Sequence, residues 1–354
     1  MTARRGAHLP LYLSLAYLAL VVCASLAPFS GWRDQGFPPF AFLETSWARY
    51  FTWFDVGANF LAYIPLGLLS CSAWQHRLPR WIAVVLASLL AFTLSLGMEA
   101  LQTYLPGRIS SNLDLLSNSL GGMTGAIAAG LWGRNFRDGS RLVAWRYEYL
   151  MHGHAADMAL VVIGLWLLAQ FNPAGSLFAS GDLRDYYQAA FALHSPSLFA
   201  FGEAVVVACN VVGAGLYFSV LLRRARAIGA LVLILLALLL KTFAIGTLAG
   251  APAAWDWLTP GALAGLVAGA LLLLPALHLA PMARIFGALG ALGLAVVAVN
   301  LMPENPYFPA YLQELNLEQG HYMNFNKVTH WLSQAWPFIA MACLLPLRKE
   351  WRHA

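Results

Sequence analysis

Residues 81–104 read WIAVVLASLLAFTLSLGMEALQTY, an apolar run with no charge until Glu99, which is followed by Gln102 at i, i+3 spacing. About 20 consecutive apolar residues are the length an α-helix needs to cross a bilayer, so this stretch reads as a membrane span with its polar pair in the last turns. The same arrangement recurs on both sides of it. Asp55 and Asn59 open one apolar stretch, and Arg108, Asp114 and Asn118 lie before and within another. In a chain that is 60% hydrophobic and only 10% charged, these positions depart from lipid-compatible chemistry.

Composition extends the reading to the whole chain of 354 residues. A mean hydropathy of +0.65, with 13 Trp and 20 Phe, excludes the balance of a soluble domain. Ten segments qualify as candidate spans, at roughly 9 to 29, 55 to 74, 81 to 104, 113 to 132, 156 to 171, 198 to 222, 227 to 248, 259 to 277, 285 to 302 and 331 to 347. The fifth and last are short, so nine or ten spans are expected. The fold class is all-α: a polytopic transmembrane helical bundle of about ten spans. It divides into a four-helix unit over 9–133, a cytoplasmic connector over 134–157 and a second unit of about six helices over 158–347.

Orientation follows from the cations, because short cytoplasmic loops hold an excess of Lys and Arg. With the N-terminus inside, fifteen of the 21 basic residues fall on the cytoplasmic side, from Arg4 and Arg5 through Arg77, Arg80, Arg134, Arg137, Arg141, Arg146, Arg223, Arg224, Arg226 and Arg284 to Arg348, Lys349 and Arg352. The other side holds Arg33, Arg49, Arg108, Arg184 and Lys327, and Lys241 lies within a span. Both termini are therefore expected in the cytoplasm if all ten spans are real. The net charge of +5 is this topogenic set, and no basic stripe with interleaved aromatics points to nucleic acid.

The first apolar run nearly reaches spanning length, and its best small-residue site, Ser25 to Ala27, precedes Pro28, so it reads as a retained span and not a cleaved signal. Cys23, Cys71, Cys209 and Cys343 all fall within spans without a CxxC pair. In the connector, Arg134, Arg137, Arg141, Trp145, Tyr149 and His152 recur at helical intervals, as in an amphipathic helix lying on anionic lipid. His152 and His154 lack further ligands at a useful spacing, so no metal is expected. The longer outer loops, 30 to 54, 172 to 197 and 303 to 330, are rich in aromatics and proline.

Depth brings the polar pairs together. Asp55 and Asn59 begin the second span one turn apart, Glu99 and Gln102 end the third, Arg108 follows in the Pro106-Gly107 turn, and Asp114 and Asn118 begin the fourth. Short connections make the three helices neighbours, so these side chains are expected to converge just under the outer surface. Scaffold roles compete with a ligand site: Asp114 as a helix cap, Asn59 and Asn118 as interhelical hydrogen-bond partners, and Glu99 paired with Arg108. Three carboxylates beside a single Arg favour a site that takes a cationic or donor-bearing ligand.

The run Asp55-x-x-x-Asn59-Phe60, with Pro65-Leu66-Gly67 after it, then Glu99-x-x-Gln102, Pro106-Gly107-Arg108, Asp114 and Asn118-x-x-Gly121, resembles the VanZ-like family over about residues 10 to 133. The family often carries a basic residue after the Asp and a His four positions on, where this chain has Val56 and Asn59. The resemblance implies a small multipass bacterial envelope protein, in a family whose name comes from low-level resistance to the glycopeptide teicoplanin. It implies no settled reaction.

In the second unit, Glu203 and Lys241 are expected to form an ion pair across adjacent helices. The Leu-rich run 231 to 240 and the Gly/Ala-rich run 261 to 272 read as packing surfaces. Asn326-Lys327-Val328-Thr329-His330-Trp331 echoes the first motif, and would set His330 beside the first unit as the ionisable group missing at Asn59. No motif for a nucleotide, a metal or any other cofactor stands in usable context. The leading expectation is a binding protein whose outer site, built from Asp55, Asn59, Glu99, Gln102, Arg108, Asp114 and Asn118, recognises an envelope lipid headgroup or a glycopeptide-type ligand, with Arg108 engaging an anion and Asp55, Glu99 and Asp114 taking donors. Alternatives are a membrane hydrolase or transferase, with Glu99 or Asp114 as general base and Arg108 stabilising charge, and a transporter.

Overall fold

Each of the ten segments expected to span is a helix in the computed structural model of this chain, which describes residues 8–45, 52–132, 141–173, 175–187, 196–303, 305 and 323–352. The chain divides into two compact units, Met1–Arg146 and Tyr147–Ala354. The first holds α1 (Leu9–Leu26), α2 (Trp53–Trp74), α3 (Arg80–Gln102) and α4 (Asn112–Trp132). A short helix, α5 (Arg141–Tyr149), crosses the division. The second unit holds α6 (His154–Ala169), α7 (Arg184–Tyr187), α8 (Pro196–Leu221), α9 (Arg226–Ala249), α10 (Pro260–Ala276), α11 (Pro281–Leu301) and α12 (Met323–Arg352). No strand occurs among the described residues.

Among the described residues, six helices are long and apolar enough to cross a membrane: α1, α2, α3, α8, α9 and α11. The other four fall short for visible reasons. α6 and α10 have 16 and 17 residues. α4 is diluted by Asp114, Ser117, Asn118, Ser119 and its glycines, and α12 carries polar residues near its start and cations at its end. Large apolar side chains such as Leu61, Leu89, Leu239 and Phe243 project outward, where a water-soluble protein would place polar groups.

Small residues decide how the first unit packs. α2 and α4 run parallel and meet backbone to backbone: a Cβ on Gly121 would overlap the Phe60 carbonyl, one on Gly125 the Ile64 carbonyl, and one on Gly67 the Gly122 carbonyl. This is the close crossing that small residues at i, i+4 permit between membrane helices. The opposite face of α4 meets α3 through the stripe Ala83, Ala87, Ala91 and Ser95, every fourth residue and all buried. The next residue in that stripe is Glu99. α1 is tied on by Ser14 to Ser70 at 2.8 Å and by the Tyr17 hydroxyl donating to the Ala62 carbonyl at 2.7 Å.

In the second unit α8 is central, packing against α9, α10 and α11. Gly261, Gly265 and Gly269 of α10 lie against Ala200, Ala204 and the Ala208–Val211 turn of α8, as expected of a Gly/Ala-rich packing face. The Leu-rich run is only half such a face: Leu233, Ile234 and Ala237 are buried, whereas Leu231, Val232, Leu235, Leu236 and Leu239 are exposed. The connector helix ends before His152, which its periodicity places within it. α5 ends at Tyr149 because Met151 N–H bonds the Leu221 carbonyl at 2.8 Å and Leu150 bridges to Leu222, fixing the chain to the turn after α8. Arg134 and Arg137 lie outside the described residues.

Candidate functional site

The N-termini of α2 and α4 and the C-terminus of α3 lie at one end of the first unit, and their polar residues share that end. Thr52 caps α2: its hydroxyl accepts from Asp55 N–H at 3.1 Å and donates to the Asp55 carboxylate at 2.6 Å, a reciprocal cap of the Thr-x-x-Asp type. Asp55, Asn59 and Tyr63 then follow at intervals of four on α2. The partial positive charge of a helix N-terminus favours Asp55 and Asp114, each in a first turn.

Glu99 is the buried member, 3% exposed. Its Oε2 accepts from the Ser111 N–H at 2.8 Å, immediately before α4, and its backbone carbonyl accepts from the Ser110 hydroxyl at 2.7 Å. The carboxylate thus fastens the 103–111 turn back onto α3. Asp114 stands within electrostatic range of both Glu99 and Asp55, and beside the Asn59 carboxamide. The α4 cap is Ser111, whose Oγ accepts from Leu113 N–H at 3.2 Å, and not Asp114. Asn118 donates through Nδ2 to Ser95 Oγ at 3.0 Å, joining α4 to α3, while its Oδ1 is buried and unpartnered. The Tyr63 hydroxyl, beside Ser95 and near Glu99 and Asp114, is likewise without a partner among the described residues. Tyr63 escapes an inventory of charged and amide residues, yet its spacing from Asp55 and Asn59 marks it.

Gln102 and Arg108 do a different job. Gln102 Nε2 donates to the Ser25 carbonyl at 2.9 Å, and Arg108 Nη2 lies 3.4 Å from the Ala24 carbonyl and 3.3 Å from that of Ala27. These carbonyls end α1, where a helix leaves its last acceptors unpaired and favours a cation. Glu99 and Arg108 sense each other electrostatically but make no ion pair within 4 Å. Burial pulls the Arg108 guanidinium down from its ordinary value, and the Glu99 carboxylate opposes that pull. Residues 33–45 lie over this end: Arg33 N–H bonds the Tyr104 carbonyl at 3.0 Å, Gln35 Nε2 the Thr103 carbonyl at 2.7 Å, and Asn112 Nδ2 the Thr45 carbonyl at 3.0 Å.

Partly exposed Asp55, Asn59 and Asp114 therefore form the rim of a polar cluster, with buried Glu99, Asn118 and Tyr63 as its floor and Gln102 and Arg108 bracing it from α1. The cluster is rich in acceptors, so its chemistry suits a ligand that offers hydroxyl or ammonium donors.

Glu203 and Lys241 find other partners than each other. Glu203 does not pair with Lys241: it accepts a very short hydrogen bond from Thr259, the cap of α10, so the carboxylate sits at that helix's N-terminus. Lys241, 3% exposed, gives its ammonium to the Asn172 and Gly175 carbonyls at 2.6 and 2.8 Å. Both charges answer the nearest helix end or turn, a demand that depth alone does not reveal. His330 Nε2 lies 2.9 Å from Asp185 Oδ2, with Gln334 beside both.

No curated protein and no solved structure matches the chain. The family model described as VanZ/LLP1 matches residues 11–133, the stretch that contains α1 to α4 and the whole polar cluster. Residues 11–133 therefore match the VanZ/LLP1 family, and residues 134–354 lie outside that match.

Proposed function

We propose that this is a ten-span bacterial inner-membrane protein with both termini cytoplasmic, whose VanZ-type domain binds a donor-bearing headgroup through the cluster of Asp55, Asn59, Tyr63, Glu99, Asp114 and Asn118. The membrane reading draws on the six apolar helices and the family match, and the orientation on the Arg distribution. The observation that carries the binding role is that Glu99 and Asp114 lie within electrostatic range of each other, beside two buried polar groups, Asn118 Oδ1 and the Tyr63 hydroxyl, that lack a well-formed hydrogen bond among the described residues. Leaving such groups buried without partners costs about 1–3 kcal/mol each, which a bound hydroxyl or ammonium would recover.

A headgroup at this level would meet acceptors on three helices while its lipid tail stays among the apolar faces. An envelope lipid with an amine or sugar headgroup fits this chemistry, and so does a glycopeptide bearing an amino sugar. The hydrolase reading has less support, because the hydroxyls of Thr103 and Ser110 bond the Glu99 backbone carbonyl and not its carboxylate.

Native mass spectrometry of the full chain in detergent tests the reading, with phosphatidylethanolamine, diglucosyl diacylglycerol and teicoplanin as probes and plain diacylglycerol as the donor-poor control. At least one donor-bearing probe should bind more tightly than diacylglycerol, and Asp114→Asn should weaken it by about tenfold. Equal retention of diacylglycerol, or unchanged affinity in both Asp114→Asn and Glu99→Gln, would overturn the proposal.

A further inference from the structure

The second unit contains a guanidinium that its fold does not fully use. Arg284, in the first turn of α11, is 0% exposed. Its Nη1 donates to the Ser219 carbonyl at 2.6 Å and to the Ser219 hydroxyl at 3.1 Å, helping to close the C-terminus of α8. The following α8 carbonyls are taken by others: Val220 by the Trp351 indole at 3.3 Å and Leu221 by the Met151 N–H at 2.8 Å. Closing α8 therefore accounts for one nitrogen of Arg284 and no more.

Arg284 Nε and Nη2 are buried without a hydrogen-bond partner among the described residues, and so is Nε of Arg226. Arg226 is the charged neighbour within electrostatic range of Arg284, and it repels. Glu148, on the neighbouring α5, is bound to exposed Arg224 at 2.6 Å. Among the described residues, fully buried Arg284 and half-buried Arg226 share this corner with three buried, unpaired N–H donors and no carboxylate bonded to either, so an internal salt bridge does not account for them. A buried charge of this kind is costly unless an anion compensates it.

The donors come from two guanidiniums, the geometry that suits a tetrahedral oxyanion. α9 starts at the same corner from Ala225, which has a left-handed φ of 52° and offers no capping side chain, so the first-turn amides of α9 add positive potential. The corner lies where α8 ends and α9 and α11 begin, at the ends of three apolar helices and hence at headgroup depth.

We propose that the corner formed by Arg284, Arg226 and the α9 N-terminus binds a phosphate group, either that of a phospholipid headgroup or free phosphate. Basic corners between helix ends are suited to phosphorylated headgroups, and here exposed Ile228 and Phe286 follow Arg226 and Arg284 by two residues.

The test uses the full-length protein in dodecyl maltoside and reads both lipid adducts by native mass spectrometry and the unfolding temperature. Added phosphatidylglycerol should bind and raise the unfolding temperature, whereas diacylglycerol should not. Arg226→Gln, which leaves the Arg284 contact with Ser219 in place, should weaken phosphatidylglycerol binding by about tenfold or more. Arg224→Gln removes the same charge from an exposed position and should leave binding unchanged. Stabilisation by millimolar inorganic phosphate equal to that by phosphatidylglycerol, and equally lost in Arg226→Gln, would assign the ligand as free phosphate. Equal effects of Arg224→Gln and Arg226→Gln, or of diacylglycerol and phosphatidylglycerol, would overturn the proposal.

Discussion

Glu99 is the residue whose replacement separates scaffold from site. In Glu99→Ala the Ser111 N–H loses the acceptor now at 2.8 Å, and a buried side chain is emptied from the interface of α3 and α4. The orphaned donor costs about 1–3 kcal/mol and the lost packing about 1 kcal/mol more, so the protein should lose about 2–4 kcal/mol. Glu99→Gln keeps the shape and an acceptor for Ser111, and removes a like charge from beside Asp114. Its stability should lie within about 1 kcal/mol of the original. Unfolding of full-length protein in detergent, followed by fluorescence of its 13 Trp, gives both numbers. The reasoning fails if the Gln variant is as unstable as the Ala variant, because the fold would then need the charge itself, or if the Ala variant is as stable as the original.

Three further outcomes follow from the same geometry. Gly121→Ala should destabilise by about 1–3 kcal/mol because its Cβ would strike the Phe60 carbonyl, whereas Gly97→Ala, with open space around it, should gain about 0.5–1 kcal/mol from helix propensity; thermal unfolding distinguishes them. In a double-mutant cycle, Glu99→Gln and Arg108→Gln should couple by less than about 1 kcal/mol, because Arg108 serves the end of α1; a larger coupling would restore a direct pair. In a background without Cys23, Cys71, Cys209 and Cys343, a cysteine at exposed Asp256 should react with an impermeant thiol reagent from outside and one at exposed Arg224 should not; labelling of Arg224→Cys alone would invert the orientation.

Much of the fold is legible because apolar length marks the ten longest helices, and the polar positions at three helix ends mark the polar cluster. What escapes are the partners. The α1 carbonyls that claim Gln102 and Arg108 become visible only once the end of α1 is placed against the 103–111 turn. Counting Arg284 among the topogenic cations hides its burial, since the positive-inside rule is blind to whether a cation caps a neighbouring helix. The pairing expected between Glu203 and Lys241 fails for a related reason: Glu203 is claimed by the Thr259 hydroxyl that caps α10, and Lys241 by the carbonyls of the turn after α6. Tyr63 and the Gly121, Gly125 crossing do carry a sequence signal, four-residue spacing along one face, which outweighs their apolar or small character.

The central claim, that the polar ends of α2, α3 and α4 form one site, is tested most directly by oxidative cross-linking in native membranes. Asn59→Cys paired with Asp114→Cys, in the cysteine-free background, should form a disulfide rapidly, since those side chains stand side by side. Asn59→Cys paired with Ile127→Cys, on the exposed face of α4 and more than three turns away, should not. Failure of the first pair to cross-link, or equal rates for the two, would contradict the account.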